Sequence, residues 1–159
     1  MNFILFGYFF KLDQHLTLLI MEINIVAVLI AVVVNFFLGF LWYTPLFGKA
    51  WAREMGFDNT VKPTGAQMGK GLTLNLIGNF LLVYVFAHNI GAWSFVPDME
   101  KMSAVEQIMN AVVFTWLGFF VPVDLNTVAW EMKSWKLFAI NTGYHFMILL
   151  VAAVILYYV

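Results

Sequence analysis

The fold class predicted here is all-α: a polytopic membrane protein whose four transmembrane helices form one bundle, with two tandem helix-pair repeats as an option within it. Three observations predict this. Of the 159 residues, 63% are hydrophobic and only 11% are charged, against roughly half and a quarter in soluble domains. Four stretches are apolar over about 20 residues, the length a helix rising about 1.5 Å per residue needs to cross about 30 Å of hydrocarbon. Trp42, Tyr43, Trp93, Trp135, Tyr157 and Tyr158 gather at the ends of those stretches, where an interfacial aromatic belt sits.

The chain divides into an extension, residues 1–20, and a four-helix domain, residues 21–159. In the extension FILFGYFF and LTLLI flank a polar KLDQH. Neither is a full span, and no small-residue cleavage site follows, so an interfacial helix is expected. Met21-Glu22-Ile23-Asn24 also reads as a start of its own, which would make the extension non-native and peripheral to function. The first span covers 23–43. Thr44 and Pro45 then suit the cap and first turn of a short interfacial helix, on which Lys49, Trp51 and Arg53 are candidate headgroup contacts. The second span covers 71–90. The third, 104–123, opens on Ser103-Ala104-Val105-Glu106, a capping box whose side chains satisfy the first free amides. The fourth covers 137–158.

Lys49, Arg53, Lys62 and Lys70 crowd the first loop and Lys133 and Lys136 the third, while the other side holds Lys101 and Lys11. The positive-inside rule therefore places both basic loops in the cytoplasm and both termini in the periplasm. The formal net charge of −1 gives no reason to expect a nucleic acid. The absence of cysteine removes disulfides, thiol exchange, thiolate metal sites and a cysteine nucleophile. The partners expected are the lipid bilayer and further copies of the chain, as a homo-oligomer; no small-molecule ligand can be read.

Leu38-Gly39-Phe40, Pro45 and Ala50-Trp51 recur as Leu117-Gly118-Phe119, Pro122 and Ala129-Trp130. Asn75 and Asn79 are spaced as Asn141 and His145 are. A duplicated helix pair would place both units in one orientation, about an axis along the membrane normal. Glu22-Ile23-Asn24, Gly39 to Trp51 (GFLWYTPLFGKAW), Gly118 to Pro122 (GFFVP) and Asn141 to His145 (NTGYH) resemble a family of small bacterial membrane proteins, domain of unknown function seventeen sixty-one. The resemblance covers the four spans and leaves out residues 1–20. It implies a four-helix integral membrane fold in a bacterial inner membrane, and it carries no activity or functional residues with it.

Within the spans the polar residues form a layer. His145 and Asn79 lie eight residues from the start of their spans, and Asn35 and Thr115 eight from the end of theirs, which is about 12 Å from the cytoplasmic side in each case. Asn75 and Asn141 sit one turn nearer the cytoplasm. Ala27, Ala31, Asn35 and Gly39 make a small-residue ladder suited to close helix approach. His145 is expected to face inward, with Asn79 or Asn35 as its nearest partner, because unpaired polar groups facing lipid cost several kcal/mol.

No metal site is expected, since His88 lies about 13 Å in depth from His145 and His15 falls outside the spans. No cofactor is implied, and no serine has a base beside it. Glu22, Glu106 and Asp124 sit at span ends, so the interior has no carboxylate on this count, which weighs against a proton-coupled antiporter. A non-enzymatic role is favoured: a bundle that scaffolds, or that passes a small solute through its polar layer. The alternative is a lipid-handling protein or membrane enzyme using His145 as general base, with Lys49 and Arg53 on an anionic headgroup.

Overall fold

In the computed structural model, residues 22–57 and 63–159 are described. The extension 1–20 and Lys62 lie outside the described residues. Helix α1 (Ile25–Leu41) begins at Asn24, whose side chain accepts from the amides of Val26 and Ala27. It runs straight into a π-helical turn, Trp42–Leu46. Helix α2 (Gly48–Met55) follows and ends at Gly56, whose φ of 78° is the left-handed conformation that glycine adopts without steric cost. Helix α3 is Gly65–Trp93. Helix α4 (Ala104–Thr115) passes through a second π-helical turn, Trp116–Phe120, into α5 (Val121–Ala129). Helix α6 is Trp135–Tyr158. Among the described residues there is no strand.

Four helical rods result, Ile25–Leu46, Gly65–Trp93, Ala104–Ala129 and Trp135–Tyr158, each long and apolar enough to cross a bilayer. The chain is a multi-pass membrane protein. The Ser103 capping box forms as expected. Three element boundaries differ from the hydropathy reading. Helix α3 starts six residues before the expected 71, because Thr64 and Gln67 form a second capping box and carry Lys70 on the helix. Pro45 does not open α2. It sits inside the π-helical turn, where the Phe47 amide reaches back to Trp42 O at 2.9 Å and closes the wider ring. The third rod continues past residue 123 to Ala129, with Pro122 in the first turn of α5, directly after the wider turn.

Helix α6 is the centre of the bundle, packing along α1, α4 and α5, while α3 lies on α1 and barely meets α4. The core is Val28, Ala31 and Val32 of α1, Val83, Phe86 and Ala87 of α3, Ile108, Ala111 and Val112 of α4, and Leu149, Ala152 and Ala153 of α6. In lipid the contact between helices gains little from the hydrophobic effect and depends on close packing. The alanines of α1, α4 and α6 permit it. All four groups lie in the half of the bundle remote from α2, where Asn24 Nδ2 also donates to Val159 O at 3.1 Å. At the α2 end the rods part, and residues 65–78 of α3 are exposed on every side. The bundle is a wedge, closed at the termini and open beside α2.

The helix pairs share one device. Each first rod has a π-helical turn that begins with tryptophan, and both indoles donate to α6: Trp42 Nε1 to Ile140 O at 3.0 Å and Trp116 Nε1 to Thr142 O at 2.7 Å. The packing between the pairs is unequal, since α1 lies along α6 and α3 stands away from α4.

Candidate functional site

His145 faces inward from the middle of α6, and its partner is an acid. Its Nδ1 lies 2.8 Å from Asp124 Oδ2, with side-chain exposures of 25% for His145 and 8% for Asp124. The expected partners, Asn35 and Asn79, are bonded elsewhere. Asp124 is buried because the third rod does not stop where hydropathy stops: α5 carries it on to face α6. The interior therefore does hold a carboxylate, contrary to the expectation that Asp124 ends a span. In low dielectric an isolated carboxylate costs several kcal/mol, and a hydrogen-bonded partner offsets that cost.

The pair is bounded by aromatic rings. Phe120, the last residue of the π-helical turn, packs tilted against the His145 ring at 4.7 Å, and Tyr144 stands 5.8 Å away. With Nδ1–H donated to Asp124, the imidazole keeps Nε2 as an acceptor, the arrangement in which a carboxylate fixes the tautomer of a base. Thr127 Oγ1 donates to Asp124 O at 2.7 Å and steadies the same turn.

The polar layer divides by chemistry. Asn35, fully buried, donates to Ile148 O at 3.1 Å and to Asn79 Oδ1 at 3.4 Å, and Asn79 Nδ2 donates to Val32 O at 2.9 Å. These two amides join α1, α3 and α6, and Asn35 Oδ1 is buried without a partner. Asn141 accepts from the Tyr43 hydroxyl at 3.2 Å. The Tyr43 ring packs at 4.9 Å against Tyr144. Asn75 is apart from all of these, exposed on the unpacked half of α3. Thr115 is half-buried and lines a hollow of about 360 Å³ between α3 and α4, together with Phe119 and Phe120.

Among the expected headgroup contacts, Lys49 and Arg53 are exposed, and Trp51 is held between Tyr43 and Phe57, each ring 5.3 Å away. Helix α2 also docks on the bundle. Glu54 accepts from Ser134 Oγ at 2.7 Å and lies 3.9 Å from Lys136 Nζ, while Ser134 caps α6.

Sequence reasoning missed Asp124, Tyr43 and Tyr144 as site residues. For Asp124 the signal was Val121-Pro122-Val123-Asp124: proline in a first turn followed by an acid marks the start of a helical segment rather than the end of a span. Tyr43 had been counted with the generic aromatic belt.

A family model described as "Protein of unknown function (DUF1761)" matches residues 26–157. No curated protein and no solved structure matches the chain.

Proposed function

The chain belongs to the DUF1761 family, which brings no assigned chemistry, and from its geometry we propose that it is a lipid-handling membrane protein with an acid–base centre, His145 serving as general base and Asp124 as the residue that positions it. The observation that carries this reading is the 2.8 Å contact between a buried carboxylate and a histidine that remains one-quarter exposed. An ionisable residue at membrane depth marks function by default, because a purely structural bond is made more cheaply by an amide. Asn35 and Asn79 already make such bonds in this bundle. Scaffolding is thus supplied by the amides, and the imidazole is left for proton transfer. Access from the bilayer is supported by the hollow that opens sideways between α1 and α3 and is lined by Tyr144, the residue before His145. With the basic residues of α2 turned to the cytoplasm, the site belongs to the inner leaflet of a bacterial inner membrane.

The test compares the lipids of cells producing the wild type, His145→Asn, Asp124→Asn and Asp124→Glu. Asparagine at 145 still donates to Asp124 and keeps the fold but is no base. We expect a change in one lipid class with the wild type, its loss with His145→Asn and Asp124→Asn, and partial return with Asp124→Glu, all four proteins eluting as folded species in detergent. Wild-type lipid profiles in cells producing a folded His145→Asn would overturn the reading.

A further inference from the structure

We infer that the α2 end of the protein holds one bilayer amphiphile with an anionic headgroup, the headgroup against Lys49 and Arg53 and the chain in the groove between α1 and α3. This rests on the lipid-handling reading above and names its substrate class.

Two hollows open beside α2. The first, about 860 Å³, is lined by Lys49, Arg53, Trp51 and Phe57. The second, about 680 Å³, lies between the last turns of α1 and the unpacked half of α3 and is lined by Phe36, Phe40, Leu72, Asn75 and Tyr144. Both include Tyr43 and Thr44, so they meet there. Each is of the size of a small-molecule site.

The order of chemistry along the joined hollow is that of an amphiphile standing in a leaflet. Cations come first, then hydroxyls, then aromatic and aliphatic walls. Among the described residues the first hollow has no acid in its lining. Glu54, the one acid of α2, accepts from Ser134 Oγ and lies 3.9 Å from Lys136 Nζ and 3.7 Å from Arg53 Nε, so that among the described residues Lys49 is the cation of this lining with no acid at ion-pair distance. An anion is therefore the complement of this mouth, and phosphate-type headgroups gain about 1 kcal/mol per Lys or Arg near a membrane surface. Below the mouth, the Asn75 amide faces the groove at membrane depth, where an unmatched polar group is costly. An ester or hydroxyl at the level of a glycerol backbone would answer it. From Thr44 up to Phe36 the groove covers eight residues of helix, about 12 Å, room for the upper part of an acyl chain. Access needs no movement, because residues 65–78 of α3 touch no other helix on their outer faces and the groove opens directly to lipid.

The full chain, reconstituted in phosphatidylcholine, is probed with spin-labelled phosphatidylglycerol and spin-labelled phosphatidylcholine, and the motionally restricted fraction of each is read. We expect phosphatidylglycerol to be preferred by about fivefold per cation. Lys49→Gln with Arg53→Gln should bring the two lipids level; both side chains are exposed, so the fold is retained. Leu72→Trp, an exposed position on the groove wall, should remove the restricted component for both lipids. Equal restriction of the two lipids by the wild type, or a preference that survives the double glutamine variant, would overturn the anionic headgroup. A restricted component unchanged by Leu72→Trp would overturn the groove. Asp124→Asn separates this inference from the reading beneath it: the lipid preference should persist there in full, because no part of the joined hollow is made by Asp124, and its loss would overturn the independence of binding from the acid–base pair.

Discussion

In hydrocarbon a carboxylate without a counter-group costs several kcal/mol, so the pairing of Asp124 with His145 at 2.8 Å makes losing one partner very different from losing both. His145→Leu leaves Asp124 buried and alone, and should lower the unfolding free energy in detergent by about 3–5 kcal/mol. Replacing both residues by Leu should cost less than half of that, since no charge is stranded. A double variant as unstable as the single one would show that the two groups do not act as a pair. The histidine of this pair was legible in the sequence, because an ionisable residue inside an apolar run stands out. Its partner was not. Hydropathy counts a charged residue as the end of a span, whereas a helix continues as long as its backbone bonds are made, and Asp124 belongs to the continuation.

At the scale of elements, the four rods and the capping box at Ser103 follow directly from apolar length and end signals, and these are the features the sequence displays most openly. The π-helical turns are not displayed, because a wider turn has no composition of its own. Their marks are glycines and prolines that read as span ends. Gly48 is one: a Cβ there would lie 2.6 Å from the Tyr43 carbonyl oxygen, a backbone atom that cannot step aside. A Cβ at Gly39 would lie 2.8 Å from the Tyr144 hydroxyl oxygen, while Gly118, its counterpart in the apparent repeat, has open space around it. Thermal unfolding should therefore rank the alanine variants. Gly48→Ala should lose about 1–3 kcal/mol, and Gly118→Ala should stay within about 0.5 kcal/mol of wild type. Gly39→Ala should fall between them and be rescued by Tyr144→Phe, which removes the atom in the way. A neutral Gly48→Ala would show that the first π-helical turn does not depend on that contact.

For the molecule as a whole, the wedge shape decides where chemistry can occur. The packed half at the termini holds the small residues and the core. The open half beside α2 holds the paired acid and histidine, the tyrosines and the cations. The polar residues within the apolar runs stand out in the sequence, but the division into bonded amides and an acid–histidine pair required the packing of α5 on α6, a contact between rods that periodicity within each rod does not encode. Charge asymmetry gives the orientation to be tested: Val159→Cys should react with a membrane-impermeant maleimide applied to intact cells, and Glu131→Cys, in the loop beside α2, should be protected until the membrane is opened. The reverse labelling would place the α2 end, with Lys49 and Arg53, on the outer surface.

The π-helical turn at Trp116–Phe120 has a bearing on the acid–base pair as well as on its own rod. Such a turn houses one residue more than an α-turn does, and each residue in a helix advances the face by about 100°. Continued without it, the stripe set by Ile108, Ala111 and Val112 would pass on the far side of the rod from Asp124 and leave the carboxylate toward lipid. The acid–base pair thus depends on how Trp116–Phe120 is wound, some way from either of its members. With all its residues kept and wound as plain α-helix, Trp116–Phe120 would turn α5 by about 100° and take Asp124 from His145, whereas loss of one residue there would close the wider turn and leave the aspartate on its present face, so that it is the winding of this turn, as much as the aspartate itself, that sets the pair.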